Sequence, residues 1–209
     1  MRIQSTDHGF ASDIAGWCES TGNRLADLST DGGRYIAVVE KGSACPAVLH
    51  SGNAKKKTIV VFSGDFDKAM ASFIIANGAA SMGSEVTLFF TFWGLNILRR
   101  PENVPVQKNL IEKMFGWMMP RGATKVKLSK MNMGGMGTWM MQGIMKKKNV
   151  LSLAELIEKA KASGVKLVAC TMTMDLMGIH KEELIDGIEE GGVAMYLNRA
   201  EAAGVNLFI

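Results

Sequence analysis

The chain has 209 residues, of which 47% are hydrophobic and 21% charged; that suffices for one domain or one domain plus a fragment, and it excludes global disorder. Three cysteines (Cys18, Cys45 and Cys170) exclude a disulfide scaffold, and four prolines with no low-complexity tract exclude collagen-like or mucin-like chains. The net charge of +4 is uneven: residues 1–54 carry four basic and six acidic groups, residues 99–148 eleven and two, and residues 149–209 five and nine. The middle third is thus a local basic zone, suited to an acidic partner, an anionic surface or a phosphate-bearing ligand, or simply a solvated face.

In chain order, residues 1–42 read as a small α+β piece. Arg2–Ser5 is a short strand, and Asp13–Thr21 a helix with Ile14 and Trp17 on one face, stopped by Gly22-Asn23. Leu25–Ser29 and Tyr35–Glu40 flank Asp31-Gly32-Gly33 as a hairpin. Forty residues bury too little surface to stand alone, so this piece should lean on the rest. Residues 43–57 (SACPAVLHSGNAKKK) have linker composition. From residue 58 to 209, strand and helix signals alternate. Thr58–Ser63, Glu85–Phe92, Lys166–Cys170 and Val205–Ile209 are strands, with Val126–Leu128 a short strand or a bend. Helices are expected at Lys68–Met82, Val106–Met119, Thr138–Lys147, Ser152–Ser163, His180–Glu190 and Met195–Ala203; Ser152 and Glu155 form a capping box. The longest apolar run, Val86–Leu98, has 13 residues, short of the roughly 20 that a membrane span needs. The repeated β–α–β order implies an α/β fold, a mostly parallel sheet with helices on both faces.

In such sheets chemistry gathers at the carboxyl ends of strands, here Ser63-Gly64-Asp65 and Cys170-Thr171-Met172. Cys170 ends a strand and begins a loop leading toward a helix, where backbone N–H groups and the helix dipole would favour a thiolate that can attack or carry sulfane sulfur; a buried, inert thiol is the alternative. Cys45, before Pro46, is an accessory or incidental thiol, and Cys18 fits core packing. His180, ten residues past Cys170, could face the thiol or merely open a helix. No ligand spacing indicates a metal, and Gly64-Asp65 belongs to neither GxGxxG nor GxxxxGK[ST]. Twelve of the sixteen methionines lie between Met114 and Met177. Met133 and Met136, with Gly134, Gly135 and Gly137, and the run Thr171-Met172-Thr173-Met174 could together line an apolar pocket around Cys170; a core or subunit interface is the alternative.

The stretches KTIVVFSGDFDKAMASFIIANGAASMGSEVTLFFTFWGLNIL, KMNMGGMGTWMM and LVACTMTMDLMGI resemble the DsrE/DsrF-like family, in its peroxiredoxin-like or second-type branch, over about residues 57–209. The resemblance implies a flavodoxin-like parallel sheet, oligomeric assembly and a cysteine that passes sulfane sulfur, which falls on Cys170. STDHGFASDIAGWCESTGNRL and RYIAVVEKG are similar to the second half of a TusA-like (SirA-like) sulfur carrier. The Cys-Pro-x-Pro motif of that carrier is missing: Cys45-Pro46 comes after the unit, and Val48 stands where the second proline belongs.

These readings give an intracellular sulfur-transfer protein that loads a persulfide on Cys170 and exchanges it with a TusA-like or rhodanese-like partner. No cofactor, metal or nucleic acid is expected. Gly64, Asp65, Met133, Met136, Thr171, Met172 and Met174 would line the site. The opening MRIQSTDHGF has no apolar signal core, so a cytoplasmic setting is expected, with peripheral membrane contact open. One rival is a binding or scaffold module that docks a membrane complex or acidic partner through its Met-rich and basic surface. Another is a nucleotide site at Gly64 and Asp65.

Overall fold

The computed structural model describes residues 1–6, 9–42 and 53–209. Arg2–Ser5 (β1), Arg24–Asp31 (β2) and Arg34–Glu40 (β3) form an antiparallel sheet in the order β1-β3-β2. Gly32 and Gly33 turn the hairpin at φ +55° and +78°, a two-residue loop that only residues tolerant of positive φ close without strain. Phe10–Thr21 (α1) lays Ile14 and Cys18, one turn apart, against Ala37 and Val39. The buried stripe runs through Phe10, Ile14 and Cys18, so Trp17 falls at its rim and is 37% exposed, instead of sharing the face of Ile14.

The larger unit is a five-stranded, wholly parallel sheet made of Asn53–Val61 (β4), Glu85–Phe90 (β5), Lys166–Cys170 (β6), Ile188–Gly191 (β7) and Ala203–Phe208 (β8). Its order is β7-β6-β5-β4-β8. From β4 the chain steps the same way three times, then returns from β7 to pair β8 with β4. Right-handed crossovers therefore put the helices of the forward steps on one face and that of the return step on the other. Accordingly, Phe66–Ser81 (α2) and Leu153–Ala162 (α5) pack through Phe66, Phe73, Leu156 and Ile157 on Ile59, Val61, Leu88, Phe90 and Leu167, while Val193–Glu201 (α7) puts Met195 and Tyr196 on Phe89 and Val168. Helices flank the sheet on both faces, as expected. The strand order differs from the flavodoxin order 2-1-3-4-5: the first strand here lies between the second and the fifth, because the return step comes last.

Three further helices, Leu110–Met118 (α3), Met136–Lys147 (α4) and Thr171–Met177 (α6), complete the described elements with 3-10 turns at Phe92–Leu98, Met133–Gly135 and Lys181–Glu183. The capping box at α5 is present, Ser152 N–H donating to Glu155 and Glu155 N–H to Ser152 Oγ. Two expectations are corrected, and one open alternative, at Val126–Leu128, is decided. His180–Glu190 is not an acidic surface helix: the 3-10 turn sends Glu183 inward, Gly187 takes φ +82°, and Ile188–Gly191 pairs with β6 as an edge strand. Val126–Leu128 is not a strand. β4 begins at Asn53 and so takes up residues 53–57 of the expected linker. Cys45 lies outside the described residues.

Candidate functional site

Two carboxyl ends of the parallel sheet hold the sequence-predicted residues. β6 ends at Cys170, opposite Gly191 of β7. Its side chain shares the α7 face with that of Val168, because alternate strand residues point the same way, and packs with Phe89, Val168, Met195 and Tyr196 at 4% exposure. Cys170 is also the N-cap residue of α6 and makes no side-chain cap bond. Two residues on from Thr171, Thr173 is fully buried; its hydroxyl lies 2.9 Å from that of Thr91 and accepts the Phe92 N–H at 3.3 Å. Phe92 sits at φ +46°, a costly conformation for a bulky residue, so the backbone beside α6 is strained.

The helix over Cys170 is capped from elsewhere. Gly192, the N-cap of α7, has no side chain to offer its first-turn donors. Asp13 of α1 supplies one: its Oδ1 accepts from Gly192 N–H at 3.1 Å and Met195 N–H at 3.2 Å. Met195 is the residue that packs on Cys170. The N-terminal unit thus fixes α7, and α7 covers the thiol. The methionines expected around Cys170 lie elsewhere. Met172 is 57% exposed, Met174 joins the main core on the opposite face, and Met133 and Met136 are more than half exposed at the entry to α4. Period-2 spacing of Val168 and Cys170 was the available signal for their shared face; nothing near Met195 in the sequence pointed back to them.

The second end is an open groove of about 1120 Å³ at the carboxyl end of β4. Gly64 and Asp65 line it, as do Phe62, Trp93 and Trp117. The 3-10 turn at Phe92–Leu98 crosses here, Gly94 N–H donating to Phe62 O, and a Cβ on Gly64 would stand 2.7 Å from Trp93 O. Ser63 Oγ donates to Asp65, which also pairs with Lys68 Nζ at 3.0 Å. The segment from Arg121 to Lys127 is pinned across the groove by Gly122 N–H on Asn96 O and by Phe66 N–H on Lys127 O.

Beneath the groove, Glu183 is 1% exposed and meets Arg99 at 3.2 Å, Arg121 at 3.5 Å and Lys108. Burial alone would push its carboxyl up, but the Lys108 ammonium, the His180 N–H and the Arg99 guanidinium outweigh that and hold it below the ordinary range. Burial also lowers Arg99, against the pull of Glu183. His180 serves this cluster through its backbone N–H, which donates to Glu183 at 3.1 Å. Sequence reading missed the cluster, since its members lie up to 84 residues apart. The groove and Cys170 stand at different strands, so the structure does not gather the predicted site residues into one pocket.

Among the described residues, no group of three or more His, Cys, Asp or Glu side chains is placed to hold a metal ion, and no helix is long and apolar enough to cross a membrane. A model of the DsrE/DsrF/DrsH-like family matches residues 53–208. The chain belongs to that family. The uncharacterized protein YrkE of Bacillus subtilis is 63% identical over 155 residues, covering 74% of this chain and 97% of YrkE. The sulfur carrier protein DsrE2 of Allochromatium vinosum is 39% identical over 159 residues, 74% of this chain and 98% of that protein. The crystal structure of the ychN protein from E. coli aligns with a TM-score of 0.45 at 14% identity, over 74% of this chain and 99% of that one. The family match begins at Asn53, so the β1–β3 unit lies outside it.

Proposed function

We propose that this protein carries sulfane sulfur on Cys170 and passes it to an acceptor thiol. The observation that carries the reading is the place of Cys170, the last residue of β6 and N-cap of α6, in a chain whose family includes a protein named as a sulfur carrier. The Cys170 thiolate attacks the outer sulfur of a donor persulfide; a Cys170–sulfur bond forms, the donor S–S bond breaks, and the donor leaves as a thiolate. The reverse exchange with an acceptor thiolate, on a TusA-like or rhodanese-like partner, regenerates Cys170. For the first-turn N–H groups of α6 to donate to the anion, the Cys170 side chain must turn toward them from the α7 face, where it makes no cap bond, while the Phe89–Val168–Met195 wall excludes water and small reductants. At 4% exposure the thiol is reached only when α7 or the α6 entry moves.

Intact mass and peptide mapping after incubation with polysulfide or a loaded sulfurtransferase test this. One or more sulfur atoms added to the Cys170 peptide, removed by a thiol reductant and absent in Cys170→Ser, are expected. Equal loading of Cys170→Ser overturns the reading.

One observation favours a second reading, a docking module with an inert Cys170. On α4, Met136, Trp139 and Met140 are at least half exposed beside the cations Lys146 and Lys147. Such a face suits an acidic partner or a membrane complex. Unimpaired partner capture by Cys170→Ser, lost in Trp139→Ser, is its signature.

A further inference from the structure

We infer that the groove at the carboxyl end of β4 is a binding site for a ligand bearing a dianionic oxyanion group, a site separate from Cys170. Three observations converge on it. The first is charge. Among its described lining residues are six lysine and arginine side chains against two carboxylates, Asp65 and Glu183, and both carboxylates are already engaged.

The second is the buried cluster behind Gly116. The position a Cβ would take on Gly116 lies 3.8 Å from Lys108 Nζ and 3.9 Å from the Nη2 atoms of both Arg99 and Arg121. Three cationic ends therefore meet within 4 Å of one point on the groove floor. Arg99 and Lys108 have side chains 0% and 6% exposed, and Glu183 is the carboxylate they share with Arg121. Arg99 Nε is buried with no hydrogen-bond partner among the described residues. Buried cations in excess of buried carboxylates are costly, and a second anion offsets that cost. Guanidinium and ammonium groups together suit a multi-oxygen anion, the first by paired N–H donors and the second as a point charge.

The third is topology. The groove opens at the carboxyl end of β4, through Phe62 to Asp65, and beside the turn that follows β5, through Trp93 and Asn96, and the carboxyl ends of the strands are where open α/β sheets take ligands. Trp93 and Trp117, 52% and 87% exposed, stand on the wall beside the cations and offer flat apolar surface to the body of an organic ligand. Two sources supply the shared chemistry: a free oxyanion such as thiosulfate or phosphate, and an organic phosphate with a planar ring.

Calorimetric titration of the full chain at constant ionic strength, with thiosulfate, inorganic phosphate and ADP as separate probes, decides it. At least one probe is expected to bind with a Kd below about 1 mM, and Arg121→Gln to weaken it about tenfold or more. Lys159→Gln, the same charge change on exposed α5 away from the groove, is expected to leave it within about twofold. Binding of thiosulfate and phosphate identifies a free anion, and binding of ADP alone with tryptophan quenching identifies an organic phosphate; each supports the site. Should Arg121→Gln fail to fold, Lys125→Gln on the exposed wall takes its place, with the same direction of change. No binding by any probe, or equal weakening by Lys159→Gln, overturns the inference.

Discussion

The two carboxyl ends of one parallel sheet are built on opposite principles. At β6 the edge is closed by carbon: Cys170 lies under Met195 and Tyr196, with Phe89 and Val168 beside it. At β4 the edge is open and held by charge: Glu183 gathers Arg99, Lys108 and Arg121 below a groove walled by tryptophans. The topology explains the difference. The return crossover from β7 sends α7 over the β6 end on one face, whereas the 3-10 turn after β5 crosses beside β4 and leaves the space beyond it unfilled. Apolar cover keeps water from the Cys170 thiol and disfavours its charged form until that cover moves. Fixed charges suit recognition of an anion that arrives from water.

The largest effect should come from removing the carboxylate that holds the open end. Glu183→Gln leaves two buried cations and Arg121 without their shared partner, and a loss of about 3–5 kcal/mol in urea unfolding is expected. The same group predicts a pH dependence. Its folded pKa lies below the unfolded value of 4.5, so its stabilisation is full above 4.5 and disappears as pH falls through the depressed folded value. Wild type should lose stability in that acid window, and Glu183→Gln should lose less there.

Gly64→Ala tests how tightly the 3-10 turn seats on β4. The new methyl meets a backbone carbonyl that cannot rotate away, which should cost about 1–3 kcal/mol in the same assay and narrow the groove without touching Cys170. Asp13→Ala probes the closed end. Loss of the cap on α7 should cost about 1 kcal/mol and speed alkylation of Cys170 by several-fold, since Met195 is then less firmly held. An unchanged alkylation rate would mean that access to the thiol runs through α6 instead. The smallest effect is expected at Trp139→Ser, within about 0.5 kcal/mol, because that ring is 74% exposed. A larger loss would show that the α4 face is packed against something in solution.

Local signals carried far. The hairpin at Gly32-Gly33, the strands TIVVF, EVTLFF and KLVAC, and the Ser152–Glu155 capping box were all legible, because each depends on residues a few positions apart. Cys170 at a strand end was legible for the same reason, through the length of KLVAC and the change of pattern at Thr171. The run His180–Glu190 misled. Its acidic pattern is that of a solvated helix, yet Glu183 is buried by cations that stand 62 to 84 positions earlier in the chain.

The sequence by itself determined most of the element types, the helix Thr171–Met177 and the strand Ile188–Gly191 excepted, the parallel α/β class of the larger unit and the strand-end position of the thiol, since periodicity, capping and turn residues act over one or two turns of chain. Only the tertiary structure decided the strand order, the cap that Asp13 lends to α7 across 179 positions, and which cations share one carboxylate. Those depend on where the return crossover places β8 and on the desolvation of charges brought together from distant segments. Neither leaves a periodic trace along the chain.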